Sequence, residues 1–308
     1  MTAMLVNPKP WLVRARAEGW ALGGFNAYDL ESARAVIQAG ADEKAPLLLQ
    51  TSEGAVKHMG LAAAVAIVRV LADASAAPVA LHLDHGKSEE LARAAVDAGY
   101  TSVMIDASRQ TYDENMRATA HVVEYAHARG VHVEAELGTL GGIEDLGESE
   151  VRSMLTDPDQ AVRFARETGV DALAIAIGTS HGAYKFKGTP HLDLERLDDI
   201  AGRIPQPIVL HGASSMEADA IAFAERYGAR LPHAQGIPPE LIRQAIARGV
   251  AKVNTDSDLR LAALGRLRQV LTERPDLFNL YELMGEIEGA IRTETAARIR
   301  MLGGSGKA

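Results

Sequence analysis

Three apolar runs in this chain end in a histidine followed by a glycine. One closes on Leu83-Asp84-His85-Gly86, one on Thr179-Ser180-His181-Gly182, and one on Leu210-His211-Gly212. Each reads as a buried strand that turns polar at its carboxyl tip. Three imidazoles delivered to one place can hold a transition metal and leave coordination positions open for a substrate. A single such histidine is more often a loop residue bonded to its neighbours, but three in matching positions point to a shared centre. Of the ten histidines, His58, His121, His127, His191 and His233 lie in helices or loops without this context and read as surface residues. His82 and His132 lie inside strands and read as structural.

Carboxylates are placed in the same manner. Asp84 adjoins His85, and Asp106 ends the run Val103-Met104-Ile105-Asp106. Glu134 and Glu136 alternate along one strand and so share a face, the interior one if the strands form a barrel. A buried carboxylate is costly unless it binds metal, orients an imidazole, accepts a proton or pairs with a cation. The turn Gly212-Ala213-Ser214 and the segment Asn254-Thr255-Asp256-Ser257 offer N–H groups and hydroxyls to a phosphate, and Gly182 with Lys185 could serve the same anion. Lys44, Lys57, Lys87 and Lys252 are the lysines to weigh for Schiff-base chemistry. Only Lys252 sits on a strand, and metal chemistry requires none of them.

These side chains need a scaffold that brings strand ends together. Strands are expected at 23–28, 46–51, 79–86, 102–107, 132–138, 171–178, 208–213 and 251–257. Helices are expected at 30–40, 54–74, 88–99, 112–130, 158–169, 193–200 and 238–249, followed by helix from about 259 to 302. Several helices end at glycine, and Ser88 before Glu89 and Glu90 reads as a helix start. Eight β-then-α units predict a single-domain (β/α)8 TIM barrel over residues 1–308 with extra C-terminal helices, and an open doubly wound sheet is the alternative. The linkers 139–154 and 182–190 are longer than a barrel needs; they read as lids over the catalytic rim or as solvated loops. Residues 226–236 read as an insertion.

Composition narrows the function. The 308 residues carry 41 acidic and 32 basic side chains, a formal charge of −9, which argues against nucleic acid or an anionic membrane as the main partner. There is no cysteine, so disulfides and thiolate zinc sites are excluded. No signal peptide or membrane-length apolar run of about 18–20 residues is present, and a cytoplasmic enzyme is the expectation.

Six motifs in order resemble class II, metal-dependent fructose-1,6-bisphosphate aldolases: Leu83-Asp-His-Gly86, Ser102-Val-Met-Ile-Asp106, Val133-Glu-Ala-Glu-Leu-Gly138, Ala176-Ile-Gly-Thr-Ser-His-Gly182, Leu210-His-Gly-Ala-Ser214 and Lys252-Val-Asn-Thr-Asp256. The resemblance runs from about Leu12 to the C-terminus. It implies a TIM barrel, a homodimer or homotetramer, Zn²⁺ and a stimulating monovalent cation, Na⁺ or K⁺. It implies that His85, His181 and His211 hold zinc, with Asp106 and Glu136 at a second or resting metal position. Asp84 would be the acid/base at the C4 hydroxyl, Glu144 the mobile proton-transfer residue, and Asn26, Ser52 and Asn254 sugar contacts. Gly182, Lys185, Gly212, Ser214, Asp256 and Ser257 would surround one phosphate, and Arg260 would meet the other. Arg292 and Arg298 are the candidates for a basic residue donated by a neighbouring subunit. Arg109 departs from the family, where many relatives carry histidine after Ser108. The implied reaction is reversible cleavage of fructose 1,6-bisphosphate to dihydroxyacetone phosphate and glyceraldehyde 3-phosphate. Tagatose 1,6-bisphosphate is the alternative substrate. A zinc hydrolase and a non-enzymatic metal-binding protein are the rivals from other classes.

Overall fold

Runs of β-branched and aliphatic residues that are buried on both sides favour parallel strands covered by helices, and the chain alternates such runs with amphipathic segments. The computed structural model describes residues 5–142, 153–181, 190–232 and 234–308. The chain begins with α1 (Lys9–Glu18), β1 (Leu22–Asn26), α2 (Leu30–Asp42), β2 (Leu47–Ser52), α3 (Glu53–Met59), α4 (Leu61–Asp73), β3 (Val79–Gly86) and α5 (Glu89–Ala98). It continues through β4 (Ser102–Ile105), α6 (Tyr112–His127), β5 (His132–Leu137), β6 (Gly141–Gly142), α7 (Pro158–Thr168), β7 (Ala172–Ile175) and β8 (Ser180–His181). It ends with α8 (Leu194–Arg203), β9 (Ile208–Leu210), α9 (Ala218–Arg226), α10 (Pro239–Ile246), β10 (Val250–Thr255), α11 (Ser257–Glu273) and α12 (Leu280–Met301).

The eight long strands close a parallel barrel in the order β1-β2-β3-β4-β5-β7-β9-β10, with β10 returning to β1. This is the expected (β/α)8 architecture. Period two sorts the side chains. Leu47, Leu49, Leu81, Leu83, Val103, Val133, Leu173 and Val253 belong to the large core beneath the helices. Leu22, Leu48, Ala80, Ala172, Ala174, Val209 and Ala251 join Leu12, Ala15 and Trp20 in a separate apolar cluster. That cluster is the barrel floor.

Helix starts follow local chemistry. Asp29 and Ser32 form a reciprocal capping box at α2, and Ser88 Oγ accepts the Leu91 N–H at 3.2 Å, as expected for that serine. Several features differ from the sequence expectations, among them the short strands β6 and β8. The helix expected at 54–74 is two helices bent by 91° at Gly60, whose φ of 83° cannot continue a right-handed helix. The C-terminal helical run is broken between α11 and α12, where Pro275 removes an N–H. Helices α1 and α9 were not expected; α9 lies in sequence just before the segment read as an insertion. Among the described residues, no single helix is long and apolar enough to cross a membrane.

Candidate metal centre and substrate site

The residues that could do chemistry gather at the carboxyl ends of β1, β3, β5, β9 and β10. In a regular strand Asp84 and His85 would face opposite sides. Here His85 has φ of +49°, and the pairing of β3 with β4 slips between Leu83 and Gly86. The bulge turns both side chains into one buried cluster with His211. Gly86 is required beside it, because a Cβ there would lie 2.7 Å from Leu83 Cδ2 and 2.7 Å from the Met104 carbonyl oxygen.

Asp84 is held from both sides. Asn26 Nδ2 donates to its Oδ2 at 2.9 Å and Asn254 Nδ2 to its Oδ1 at 2.8 Å. Gln50 Nε2 in turn donates to Asn26 Oδ1 at 2.7 Å. Gly24 leaves room for this amide ring, since a Cβ there would lie 2.4 Å from Gln50 Oε1 and 3.0 Å from Asn254 Oδ1. Ser52 sits beside Asp84 in register across β2 and β3, and its hydroxyl caps α3 through the Ala55 N–H.

Among the described residues, two overlapping sets of donor atoms could hold a cation: Asp84, His85 and His211, and His85, Asp106 and Glu136. The His85 and His211 rings meet edge to face, their centroids 4.5 Å apart. Asp106 Oδ2 lies 2.9 Å from His85 Nδ1, and Ser108 donates to Asp106 Oδ1 at 2.7 Å. Burial opposes ionisation of Asp106, but the bonds from His85 and Ser108 outweigh it and hold the carboxyl far below its ordinary range. Burial and the neighbouring Asp106 charge push Glu136 the other way, upward. Burial and the His85 charge oppose protonation of His211, yet Glu134 and Glu136 at its two nitrogens raise it. Asp84, Glu134 and Glu136 are all buried, with Asp106 close by, and among the described residues the lysine buried beside them is Lys252. That imbalance of charge, with nitrogen and oxygen donors converging, fits a divalent cation.

Below this cluster runs a second polar layer. Lys252 Nζ donates to Glu134 Oε2 at 2.7 Å and Oε1 at 3.0 Å, and Glu134 Oε1 lies 2.9 Å from His211 Nε2. His82 Nδ1, Ser102 Oγ and His132 Nδ1 continue the chain at 2.7 and 3.0 Å. His82 and His132 are the structural residues that the sequence suggested, and burial pushes the His132 imidazole down to about 4. Glu134 takes the structural option open to a buried carboxylate, a cation partner, while Glu136 faces the metal cluster.

The chain matches the family described as fructose-bisphosphate aldolase class-II over residues 6–307. It belongs to that family. It is 44% identical over 306 residues to the fructose-bisphosphate aldolase of Helicobacter pylori strain J99, covering 99% of this chain and 100% of that one. The fructose-bisphosphate aldolase of Thermus caldophilus gives the same identity and coverage. Among solved structures, the YdjI aldolase of Escherichia coli K12 superposes with a TM-score of 0.80 at 30% identity, over 99% of this chain and 100% of that one. The Campylobacter jejuni fructose-bisphosphate aldolase, at 22% identity and a TM-score of 0.78 over 99% of this chain and 97% of that one, shares the fold.

The class II motifs are brought together unequally. Asn26, Asp84, His85, Asp106, Glu136, His211 and Asn254 form one contiguous group. Gly212 has φ of 60°, and a Cβ on it would lie 2.5 Å from the Ser180 carbonyl oxygen. The end of β9 therefore lies directly against β8, which carries His181. β8 in turn pairs with β6, which ties the first long linker to the residues just before the second. Glu144, Gly182 and Lys185 lie outside the described residues, as does the side chain of His181. On the far side of the rim, Ser214 Oγ faces the Asp256 N–H at 3.4 Å, Ser257 opens α11, and Arg260 Nε donates to Asp256 Oδ1 at 2.9 Å. The two arginines considered for donation to a neighbour separate. Arg292 is exposed and bonds Asp42, whereas Arg298 is buried within its own chain and donates to Ser215. Sequence reasoning gave Gln50 and Ser102 no role; as uncharged side chains inside strands they carry no pattern that marks them.

Proposed function

We infer that the protein cleaves fructose 1,6-bisphosphate reversibly to dihydroxyacetone phosphate and glyceraldehyde 3-phosphate. The observation that carries this reading is Asp84, whose carboxylate is fixed by Asn26 and Asn254 beside a buried imidazole–carboxylate cluster. In this reading His85, His181 and His211 hold Zn²⁺, with Asp106 and Glu136 at an adjoining position. The bound ion supplies a Lewis acid that stabilises the negative charge left on the ketose fragment after C3–C4 cleavage. Asp84 accepts the C4 hydroxyl proton at a carboxylate oxygen. The O–H electron pair becomes the aldehyde C=O as the C3–C4 bond breaks, and its electrons stay on the ketose fragment. Glu144 returns a proton to that carbon. Asn26, Ser52 and Asn254 orient the sugar.

Gly182, Lys185, Gly212, Ser214, Asp256 and Ser257 enclose one phosphate, supported by the amino terminus of α11. Arg260 meets the other, and a monovalent cation sits near the backbone of Gly182 and Ser214. We also propose one catalytic domain over residues 1–308, assembly as a homodimer or homotetramer, and a cytoplasmic location.

The test is cleavage of fructose and tagatose 1,6-bisphosphates side by side, with EDTA and with zinc restored. Chelator-sensitive preference for the fructose substrate supports both mechanism and substrate. Preference for tagatose keeps the metal chemistry and replaces the substrate. Cleavage of neither by the zinc-loaded protein overturns the reading. His181→Ala should lose metal and activity while remaining folded; an active variant would remove it from the ligand set.

A further inference from the structure

The turn that follows β9 is held from behind by the two C-terminal helices. Asp258, in the first turn of α11, accepts the backbone N–H of Ser215 at 3.0 Å and of Met216 at 2.7 Å. Arg298, on α12, donates Nη1–H to Ser215 Oγ at 2.8 Å, and its Nε lies 3.6 Å from Asp258 Oδ2. Both side chains are buried, Arg298 to 2% exposure and Asp258 to 5%. The other face of the turn is closed as well. Ile237 N–H donates to the Ser214 carbonyl, and a Cβ on Gly236 would lie 2.3 Å from that same oxygen. Met216 has φ of +45°, a conformation that a non-glycine residue keeps only when its surroundings enforce it.

A buried guanidinium normally satisfies all its donors. Among the described residues, Nε and Nη2 of Arg298 have no hydrogen-bond partner. Leaving N–H groups of a buried cation unbonded is costly, and its contacts are with Asp258 and with Ser215, the residue adjoining Ser214. Neither Asp258 nor Arg298 reaches the metal cluster, so what they fix is the shape of the turn.

We propose that Asp258 and Arg298 are positioning residues for substrate phosphate, setting the direction in which the turn from Gly212 to Ser214 presents its N–H and hydroxyl groups. The proposal rests on the reading of that turn as the phosphate site. Loosening the clamp weakens anion binding and leaves metal binding intact.

The experiment uses the zinc-loaded full-length protein. It compares wild type with Ser215→Ala, Arg298→Met, their double variant and Asp258→Asn. For each, KM and kcat for fructose 1,6-bisphosphate, the inhibition constant of inorganic phosphate, bound zinc and the thermal midpoint are measured. Arg298→Met and Asp258→Asn should raise both KM and the phosphate constant about tenfold, equivalent to about 1.4 kcal/mol, with kcat within about threefold and zinc unchanged. Ser215→Ala should shift both constants in the same direction by about threefold. The double variant should match Arg298→Met alone, because both substitutions remove one contact. Arg298→Lys, which keeps the charge and some reach, should recover part of the loss.

Folded variants with unchanged KM and phosphate inhibition would overturn the proposal, and so would a parallel loss of zinc. Should Arg298→Met or Asp258→Asn fail to fold, the mild Ser215→Ala variant decides. If wild type cleaves the substrate but phosphate does not compete, the clamp proposal fails alone. If wild type cleaves no sugar bisphosphate, the functional reading fails with it.

Discussion

Asp84 and His85 are neighbours in sequence, but they act together only because the chain turns left-handed at His85. The residue scale also shows why Lys252 is not a Schiff-base candidate. Its ammonium is buried on both oxygens of Glu134 inside the barrel. Borohydride added with substrate should therefore trap no covalent adduct, and a trapped lysine would reverse the assignment. Removing one partner strands the other. Lys252→Met should destabilise the protein by about 3–5 kcal/mol, and adding Glu134→Gln should restore part of it, read from urea midpoints. Glu294 gives a pH test. Burial, with help from Asp258 and Glu217, pushes its carboxyl up to about 7 from an ordinary 4.5. A raised carboxyl favours the protonated form in the folded state. Its contribution is thus fully present below about pH 4.5 and is lost as pH rises through 7. Glu294→Gln should flatten stability across that window, and an unchanged pH profile of the thermal midpoint would exclude the effect.

At the scale of elements, close approaches of backbone fix the site. Gly212 lets β9 meet β8 where any side chain would collide with Ser180. Gly212→Ala combines that collision with an unfavourable φ. It should cost at least 1–3 kcal/mol and weaken zinc binding, measured by competition with a chromogenic chelator. Helix α1 acts differently, by filling the barrel floor with Leu12 and Ala15 against Trp20. Leu12→Ala should cost about 2–5 kcal/mol with kcat nearly unchanged, because the floor lies far below the rim. A large loss of kcat with little loss of stability would show that the floor shapes the site.

At the scale of the molecule, the buried carboxylates should make the folded state depend on a bound cation. Stripping metal with EDTA should lower the thermal midpoint by several degrees, because a ligand at about a thousand times its dissociation constant adds about 4 kcal/mol. An unchanged midpoint would place the metal outside the folded core. His132 adds to acid sensitivity, as does the buried His82: burial holds His132 near 4 while an unfolded imidazole titrates near 6.5. Stability it supports is present above about 6.5 and lost as pH falls toward 4, which acid titration of the urea midpoint would register.

Alternating apolar strands and amphipathic helices determined the run of βα units from sequence, because period two and period 3.6 are local properties. The closure of β10 onto β1 that makes a barrel and not an open sheet was decided by the tertiary structure. His85, His211, Asp84, Asp106 and Glu136 were legible as candidates because charged and imidazole groups stand out at the ends of apolar runs, and the structure gathers them in one cluster. What only the tertiary structure decided depends on residues far apart in the chain. Lys252 meets Glu134 across 118 positions, and Arg298 reaches Ser215 across 83. The left-handed turn at His85 was equally hidden, since nothing in a single strand shows what its neighbour will force it to do. Helix α1 was missed because it buries only Leu12 and Ala15, too short an apolar pattern to mark a helix, and its role as barrel floor exists only once the strands have closed above it.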